Sequence, residues 1–260
     1  MNNNLGAAIR GVGLAGLLAV LSGCASTGVH DEIQDPLEPI NRVTYKFNDI
    51  LDRGLLYPLA AAYKDGVPAW VRTRILNFFA NLWTPMEAVN GLLQGKGNQA
   101  ASDTARFVLN TTFGIVGLFD VATSMGHEAH KEDFGQTLAV WGVPEGWYFV
   151  IPVLGPSTLP RDTLGWVGDY FLDPLWYVDN NQVRYPLVAL RAVDERSQLP
   201  SPDALVEAAL DPYVFVREAY RQRRWNLIYD GNPPPEPEEL WEDDGTGAES
   251  ERQAPEAQTQ

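Results

Sequence analysis

The sequence predicts a mainly α-helical protein built of kinked amphipathic helices, with one small β-hairpin. Three observations predict this fold class. Apolar residues recur at spacings of three and four over most of the chain, which is the helical period. Proline and glycine interrupt these apolar segments, so each helix is expected to bend or end there. Only around Pro144-Glu145-Gly146 does the composition change to short β-prone runs.

The N-terminal segment has the pattern of a lipoprotein signal peptide. An apolar stretch from Gly11 to Val20 leads into Leu21-Ser22-Gly23-Cys24, which resembles the bacterial lipobox. A stretch of about ten apolar residues is too short to span a bilayer, which needs about twenty. We therefore expect a signal peptide at 1–23, a lipid anchor on Cys24, the only cysteine, and a tether at 24–34. Ala25 favours sorting to the outer membrane. The alternative is an uncleaved anchor with an ordinary buried cysteine.

The ordered body is expected to span 35–230. Asp35-Pro36-Leu37-Glu38 has the pattern of a helix start, with an N-cap, a proline at the first helical position and a capping-box glutamate. An amphipathic helix should follow, interrupted at Gly54 and Pro58. Its apolar stripe comprises Leu37, Ile40, Val43, Phe47 and Ile50.

Three further segments are strongly apolar. The first runs from Trp70 to Gln94 and should be broken at Thr84-Pro85, because a proline ring obstructs a helix passing through it. The second runs from Ala100 to Ala122, loosened by two glycines. The third, from Leu164 to Val178, should be broken at Asp173-Pro174.

Between the second and third of these segments, the runs 134–143 and 147–154 predict the hairpin, with Ser157 in a turn beyond it. Towards the C-terminus we expect helices at about 186–196 and 202–210. A basic helix over 213–224 should follow, exposed to solvent or facing lipid head groups or a porin. The tail at 231–260 is acidic and proline-rich, a composition typical of disorder.

Two interpretations of the apolar segments remain open. They are either the buried core of a soluble periplasmic domain or helices that lie partly inside one leaflet of a membrane, with aromatic residues at the polar boundary. Two polar stripes interrupt them, and in a membrane such stripes must pair or line a wet cavity. One stripe comprises Glu87, Asn90 and Gln94, and the other comprises Asp162, Asp169 and Asp173. In a soluble domain the same stripes would be solvated faces.

Composition argues against several function classes. The net charge of −15 disfavours nucleic-acid binding. The dense group of His127, Glu128, His130 and Glu132 lacks the spacing of a zinc protease, so no metal or cofactor is expected. No nucleophile elbow occurs, so no catalytic residue is expected either.

Many ordered blocks of the chain resemble the MlaA/VacJ family of outer-membrane lipoproteins. The resemblance extends over about 35–225, and residues 176–205 match less well. It rests on Asp35 to Arg42, Tyr45 to Asn48, Asn77 to Leu82, Asn90 to Gly95, Arg106 to Thr111, Gly114 to Ala122, Glu132 to Val143, Pro152 to Asp162, and Asp211 to Tyr220.

The resemblance implies a ring-shaped helical body embedded in the inner leaflet of the outer membrane. Phospholipids that stray into the outer leaflet would pass through its central channel to a soluble periplasmic carrier of the MlaC type, and trimeric porins would be membrane partners. We expect the predicted hairpin at 134–154 to be a gate. The channel lining is expected to include Glu87, Asn90, Gln94, Asn110, Arg161, Asp162 and Asp169.

Two alternative functions belong to other classes. A structural lipoprotein that scaffolds porins or envelope complexes would alter complex assembly and leave the lipid content of the cell surface unchanged. A lipid hydrolase is disfavoured by the absence of a nucleophile motif.

Overall fold

The computed structural model describes residues 35–199, 206 and 209–234. The prediction of a mainly helical fold with one small hairpin is confirmed. Eight α-helices are described in this part of the chain. They are α1 (Glu38–Leu51), α2 (Tyr57–Gly66), α3 (Ala69–Leu93), α4 (Gly97–Thr112), α5 (Phe134–Val140), α6 (Arg161–Leu172), α7 (Asn181–Gln198) and α8 (Pro212–Ile228). The predictions for 1–34 and for 231–260 beyond Pro234 lie outside the described residues, as does most of the predicted helix at 202–210.

Two predicted interruptions are not breaks in the helices. At Gly54 the chain continues from α1 into α2 through a π-helical turn, Asp52–Leu56, which carries it into Pro58 without leaving helical geometry. Helix α3 likewise continues through Pro85. The proline costs one backbone hydrogen bond, but its neighbours Thr84 and Met86 are buried, and Thr84 Oγ1 donates to the Ala80 carbonyl at 3.0 Å. The packing of α3 along α4 therefore outweighs the tendency of Pro85 to end the helix.

The hairpin prediction was wrong in its first strand. Residues 134–140 form α5, and the antiparallel hairpin pairs β1 (Gly146–Ile151) with β2 (Gly155–Pro160). Asp133 explains the difference, because its carboxylate accepts the Gln136 backbone N–H at 2.9 Å and so begins a helix. Ser157 lies in β2 and not in a turn.

The break at Asp173-Pro174 is confirmed: α6 ends at Leu172, and a 3₁₀ turn, Pro174–Tyr177, follows. The second apolar segment becomes helical only to Thr112, and turns carry the chain through Gly114 and Gly117. Helix α7 begins at Asn181, five residues before the predicted 186, because Asn180 caps it by accepting the Gln182 N–H.

The helices present an unusual distribution of polarity. The predicted apolar stripe on α1 faces outward: Val43 is 70% exposed, and Ile40, Phe47 and Ile50 are exposed with it. The buried residue of α1 is Asn41, at 0% exposure. Among the described residues the fully buried side chains include more polar and charged groups than apolar ones. The described helices include none that is both long enough and apolar enough to cross a bilayer.

A small aromatic cluster joins three elements at the base of the hairpin. Tyr148 and Val150 of β1 pack with Tyr213 of α8, and Tyr45 of α1 lies against them. Asn41 fixes α1 to β1, because its Nδ2 donates to the Tyr148 carbonyl and its Oδ1 accepts the Val150 N–H, both at 3.0 Å. The first predicted helix therefore holds the hairpin through its polar face.

We expect Asn41→Ala to lower the free energy of unfolding by about 2–4 kcal/mol, because it removes buried hydrogen bonds to the Tyr148 carbonyl and the Val150 N–H. This change is measured by monitoring unfolding in detergent micelles with circular dichroism. The exposed Asn98 of α4 provides the control, and Asn98→Ala should change stability by less than about 0.5 kcal/mol. Equal effects of the two substitutions would contradict this assignment.

Candidate functional site

A close crossing of two helices positions the polar centre of the molecule. Gly135 of α5 and Gly165 of α6 meet backbone to backbone, and a Cβ built on Gly165 would lie 2.4 Å from the Gly135 nitrogen. Only glycine fits at this distance. The crossing brings the N-terminus of α5 beside the polar stripe of α6.

Arg224 of α8 joins these two helices. Its guanidinium donates to the Asp133 carboxylate at 2.6 and 3.1 Å and to Asp162 Oδ1 at 2.8 Å. Tyr220, one turn earlier on α8, donates its hydroxyl to Asp162 Oδ2 at 2.7 Å. Three helices thus converge on one buried cation and two carboxylates.

The electrostatics of this cluster are balanced. Burial alone would raise the pKa of Asp133, but the Arg224 guanidinium and the Gln136 donors hold that pKa below its usual value. The pKa of Asp162 is also lowered, since Arg224 and Arg161 outweigh its burial. Arg161 donates to Asp162 at 3.2 Å. Two arginines therefore neutralise two aspartates.

The polar stripe of α3 faces the same interior. Asn90 is 1% exposed, and its Oδ1 accepts the Thr137 hydroxyl of α5 at 2.8 Å. Gln94 donates to Glu132 at 2.8 Å and to Thr137 at 3.3 Å. The buried Glu132 carboxylate also accepts from Lys96 at 2.8 Å and Gln99 at 2.7 Å.

The two predicted stripes meet at Asp169. This carboxylate accepts the Phe134 backbone N–H at 3.1 Å and interacts with the Asn90 side chain. Burial, reinforced by the negative charge of Asp133, raises the pKa of Asp169 to about 7. Glu87 lies instead near Asp103 of α4, and burial, with the charge of Asp103, raises its pKa to about 8.

A cavity of about 170 Å³ opens beside this network. The lining residues of the hairpin and its loop are mostly apolar, whereas those of α6, α8 and position 133 are mostly polar. The lining comprises Ile151, Leu154, Pro156, Ser157, Trp166, Asp133, Asp162, Asp169, Tyr220 and Arg224. Of the seven residues predicted to line a channel, Asp162 and Asp169 line this cavity.

Asn110 lies in a different polar cluster. Its Oδ1 accepts the N–H groups of Val121 and Ala122 at 2.8 and 2.9 Å, and its Nδ2 donates to Asp120 at 3.1 Å. It thereby holds the loop after α4, in which Ile115 and Val116 have φ values of 53° and 57°. Positive φ is strained for β-branched residues, so the hydrogen bonds here maintain an unfavourable backbone.

The histidines and acids at 127–132 do not form one cluster, because His127, His130 and Glu132 each hydrogen-bond to a different partner. His130 Nδ1 lies 2.9 Å from Asp103, His127 Nδ1 lies 3.1 Å from Ser102, and Glu132 accepts a hydrogen bond from Gln94. Within the described residues, no group of three or more His, Cys, Asp or Glu side chains could hold a metal ion.

The basic helix α8 is confirmed, but most of its arginines point inward. Arg217 pairs with Asp35 and Glu218, Arg221 with Glu145 and Glu218, and Arg224 with the two aspartates, while Arg223 is exposed. Sequence reasoning missed Asp133, Tyr220 and Arg224 as site residues. A signal existed for Asp133, because Asp133 followed by Gln136 has the spacing of a capping box.

Comparison with known proteins places this arrangement in context. The family model described as MlaA lipoprotein matches residues 33–226. The Escherichia coli K12 "Intermembrane phospholipid transport system lipoprotein MlaA" is 36% identical over 226 residues, which cover 84% of this chain and 88% of that protein. An uncharacterized protein of Rickettsia typhi is 38% identical over 204 residues, 77% of this chain and 81% of its own.

The fold is also similar to that of a solved structure, reported as "Structural basis for maintenance of bacterial outer membrane lipid asymmetry". The TM-score is 0.66 at 35% identity, and the match covers 76% of this chain and all of the other. The similarity in fold and the similarity in sequence therefore point to the same group of related proteins.

We expect Arg224→Ala to lower the free energy of unfolding by about 3–5 kcal/mol, because it leaves the buried Asp162 and the partly exposed Asp133 without this cation. The exposed neighbour Arg223 provides the control, and Arg223→Ala should cost less than about 0.5 kcal/mol. Denaturant unfolding in micelles measures both.

The penalty of Arg224→Ala should shrink between pH 7 and pH 4. In the unsubstituted protein the lowered pKa values of Asp133 and Asp162 contribute stability that is present above the unfolded pKa of about 3.9 and is lost as pH falls through the folded values. Without Arg224, burial raises these pKa values. Acidification therefore protonates the two carboxylates of the variant and removes the cost of their uncompensated charges. The same penalty at both pH values would contradict the ion network.

Proposed function

The chain belongs to the MlaA lipoprotein family, and on that premise we propose that it is an outer-membrane lipoprotein that maintains lipid asymmetry. It takes mislocalised phospholipids from the outer leaflet and passes them through a central channel towards the periplasm. The lipobox-like run ending at Cys24 supports anchoring by acylation, with the body facing the periplasm.

The observation that carries this proposal is the inverted polarity of the helices. The stripe of α1, the tip of the loop after α4 (Phe113, Ile115, Val116) and part of α6 (Leu164, Phe171) expose large apolar side chains. Monomeric soluble proteins rarely expose continuous apolar surface of this kind. In a bilayer the same surface is favourable, and the polar residues must then be satisfied inside.

The interior has what a phospholipid head group needs. A head group requires a polar path, while the attached chains require apolar wall, and the cavity at the hairpin has lining residues of both kinds. We propose that Asp162 and Asp169 line the path, that Glu87, Asn90, Gln94 and Arg161 complete its polar shell, and that Asn110 holds a loop at its edge. We also propose that the hairpin, β1 and β2, is the gate.

The remaining parts of the proposal concern partners. A soluble periplasmic carrier of the MlaC type would remove the lipid and make the movement run downhill without ATP at this protein. Trimeric porins would hold the lipoprotein beside their outer wall. The resemblance to the family supports both partners.

The membrane part of the proposal predicts binding to liposomes without the lipid anchor. A chain beginning at residue 25 should float with phospholipid vesicles, and the double substitution Ile40→Glu/Val43→Glu should abolish flotation, because it places two charges on the exposed stripe. Asn98→Glu on an exposed polar position is the control. If the shortened chain were monomeric in water and indifferent to vesicles, the membrane placement would be wrong.

The transport part predicts a change at the cell surface. Bacteria lacking the protein should accumulate phospholipid in the outer leaflet, measured with an amine-reactive label that does not cross the outer membrane. Expression of the unsubstituted protein in these bacteria should reverse the accumulation. The Asn90→Leu variant should fail to reverse it, because the substitution removes a buried polar group of the proposed path.

The variants and the unsubstituted protein must be present at equal levels in the cells, and Asn98→Leu is the control for the introduction of a leucine. Normal surface lipid together with altered porin complexes in the deletion strain would instead favour the scaffold function.

A further inference from the structure

The cavity beside α6 contains one acidic residue whose charge is not neutralised. In the described part of the chain Asp133 and Asp162 pair with arginines, whereas Asp169 forms no ion pair with a Lys, Arg or His side chain. Its hydrogen-bond donor is the Phe134 N–H, at 3.1 Å. A half-buried carboxylate without a cation is unfavourable, so the site is suited to a ligand that brings one.

Arg224, which also lines the cavity, has a donor without an acceptor. The Nε of Arg224 is buried and has no hydrogen-bond partner among the described residues, while the two terminal nitrogens of the guanidinium are engaged with Asp133 and Asp162. An unpaired buried N–H is uncommon and costly. An anionic oxygen placed in the cavity would be attracted to the charge of this guanidinium.

An aromatic ring stands next to the unpaired carboxylate. Trp166 and Asp169 are three residues apart on α6 and share a face with Asp162, and all three line the cavity. The Trp166 ring is held by Tyr170 at 5.6 Å between centroids, and Tyr170 in turn by Trp176 at 4.7 Å. A carboxylate beside an indole face is a favourable environment for an ammonium group.

The size of the cavity limits the ligand. At about 170 Å³ it is smaller than the roughly 300 Å³ from which sites for whole small molecules begin. It can take a polar head group but not the acyl chains, which would have to lie along the apolar residues Ile151, Leu154 and Pro156.

We propose that this cavity is a recognition site for zwitterionic phospholipid head groups, with the ammonium at Asp169 and Trp166 and the phosphate beside the Arg224 guanidinium. The site would prefer phosphatidylethanolamine to phosphatidylglycerol, because the glycerol head group brings no cation to Asp169. This inference rests on the proposed phospholipid transport and adds the class of lipid that the site selects.

The test uses the acylated full-length protein in detergent micelles with equal amounts of phosphatidylethanolamine and phosphatidylglycerol of the same acyl chains. After removal of free lipid, the retained lipids are extracted and quantified. The unsubstituted protein should retain phosphatidylethanolamine in excess. Asp169→Asn should reduce the ratio roughly tenfold, and circular dichroism should show that the variant is still folded, since the amide keeps an acceptor for the Phe134 N–H.

Asp179→Asn is the matched control, because it removes the same charge from an exposed position on the other side of the 3₁₀ turn. It should leave the ratio unchanged. Equal retention of the two lipids by the unsubstituted protein would overturn the inference without relying on any variant, and so would an undiminished ratio in a folded Asp169→Asn protein. If the unsubstituted protein retained neither lipid, the proposed transport function would itself fail.

Discussion

The structure depends on the requirement that buried polar groups find partners within the protein. Apolar side chains cover much of its outer surface, so the interior is left to asparagine, aspartate, threonine and arginine. In such an interior, hydrogen bonds determine which elements touch. Asn41 fixes α1 to the hairpin, Thr137 fixes α5 to α3, and Asn110 fixes the loop after α4. The small aromatic cluster at Tyr148 and Tyr213 supplements this framework.

Within that framework, Arg224 sets the charge balance. A buried ion pair often adds little net stability compared with an apolar pair of the same shape, because both charges lose water. Its consequence here is geometric: Asp133 and Asp162 can approach each other only with a cation between them, and α5, α6 and α8 are thereby fixed in one arrangement. Asp169 lies just outside the neutralised group, and therefore its charge remains available to a ligand.

Local patterns in the sequence were sufficient to predict most helices and the break at Asp173-Pro174. The predicted cap of α1 was wrong, because α1 begins at Glu38 without a side-chain cap and the Asp35 carboxylate contacts Asn41 and Arg217 instead. Local patterns also failed where tertiary contacts decide, as at Pro85, where packing carries the helix through, and at 134–140, where one capping aspartate outweighs a β-prone composition. The polar stripes on α3 and α6 were visible from spacing, but their meeting at Asp169 was not. The contact of Arg224 with Asp133 joins residues 91 positions apart, and no local pattern encodes it.

The crossing of Gly135 and Gly165 has an evolutionary consequence. The backbones touch there, so any side chain would push α5 and α6 apart and disperse the whole cluster. Trp166 and Asp169 lie further along α6 and are not part of the glycine pair, and an amide at position 169 would keep the acceptor for the Phe134 N–H. Selection could therefore exchange these two residues, and with them the preferred lipid, as a bacterium changes its membrane composition, while the pair of glycines stays constant.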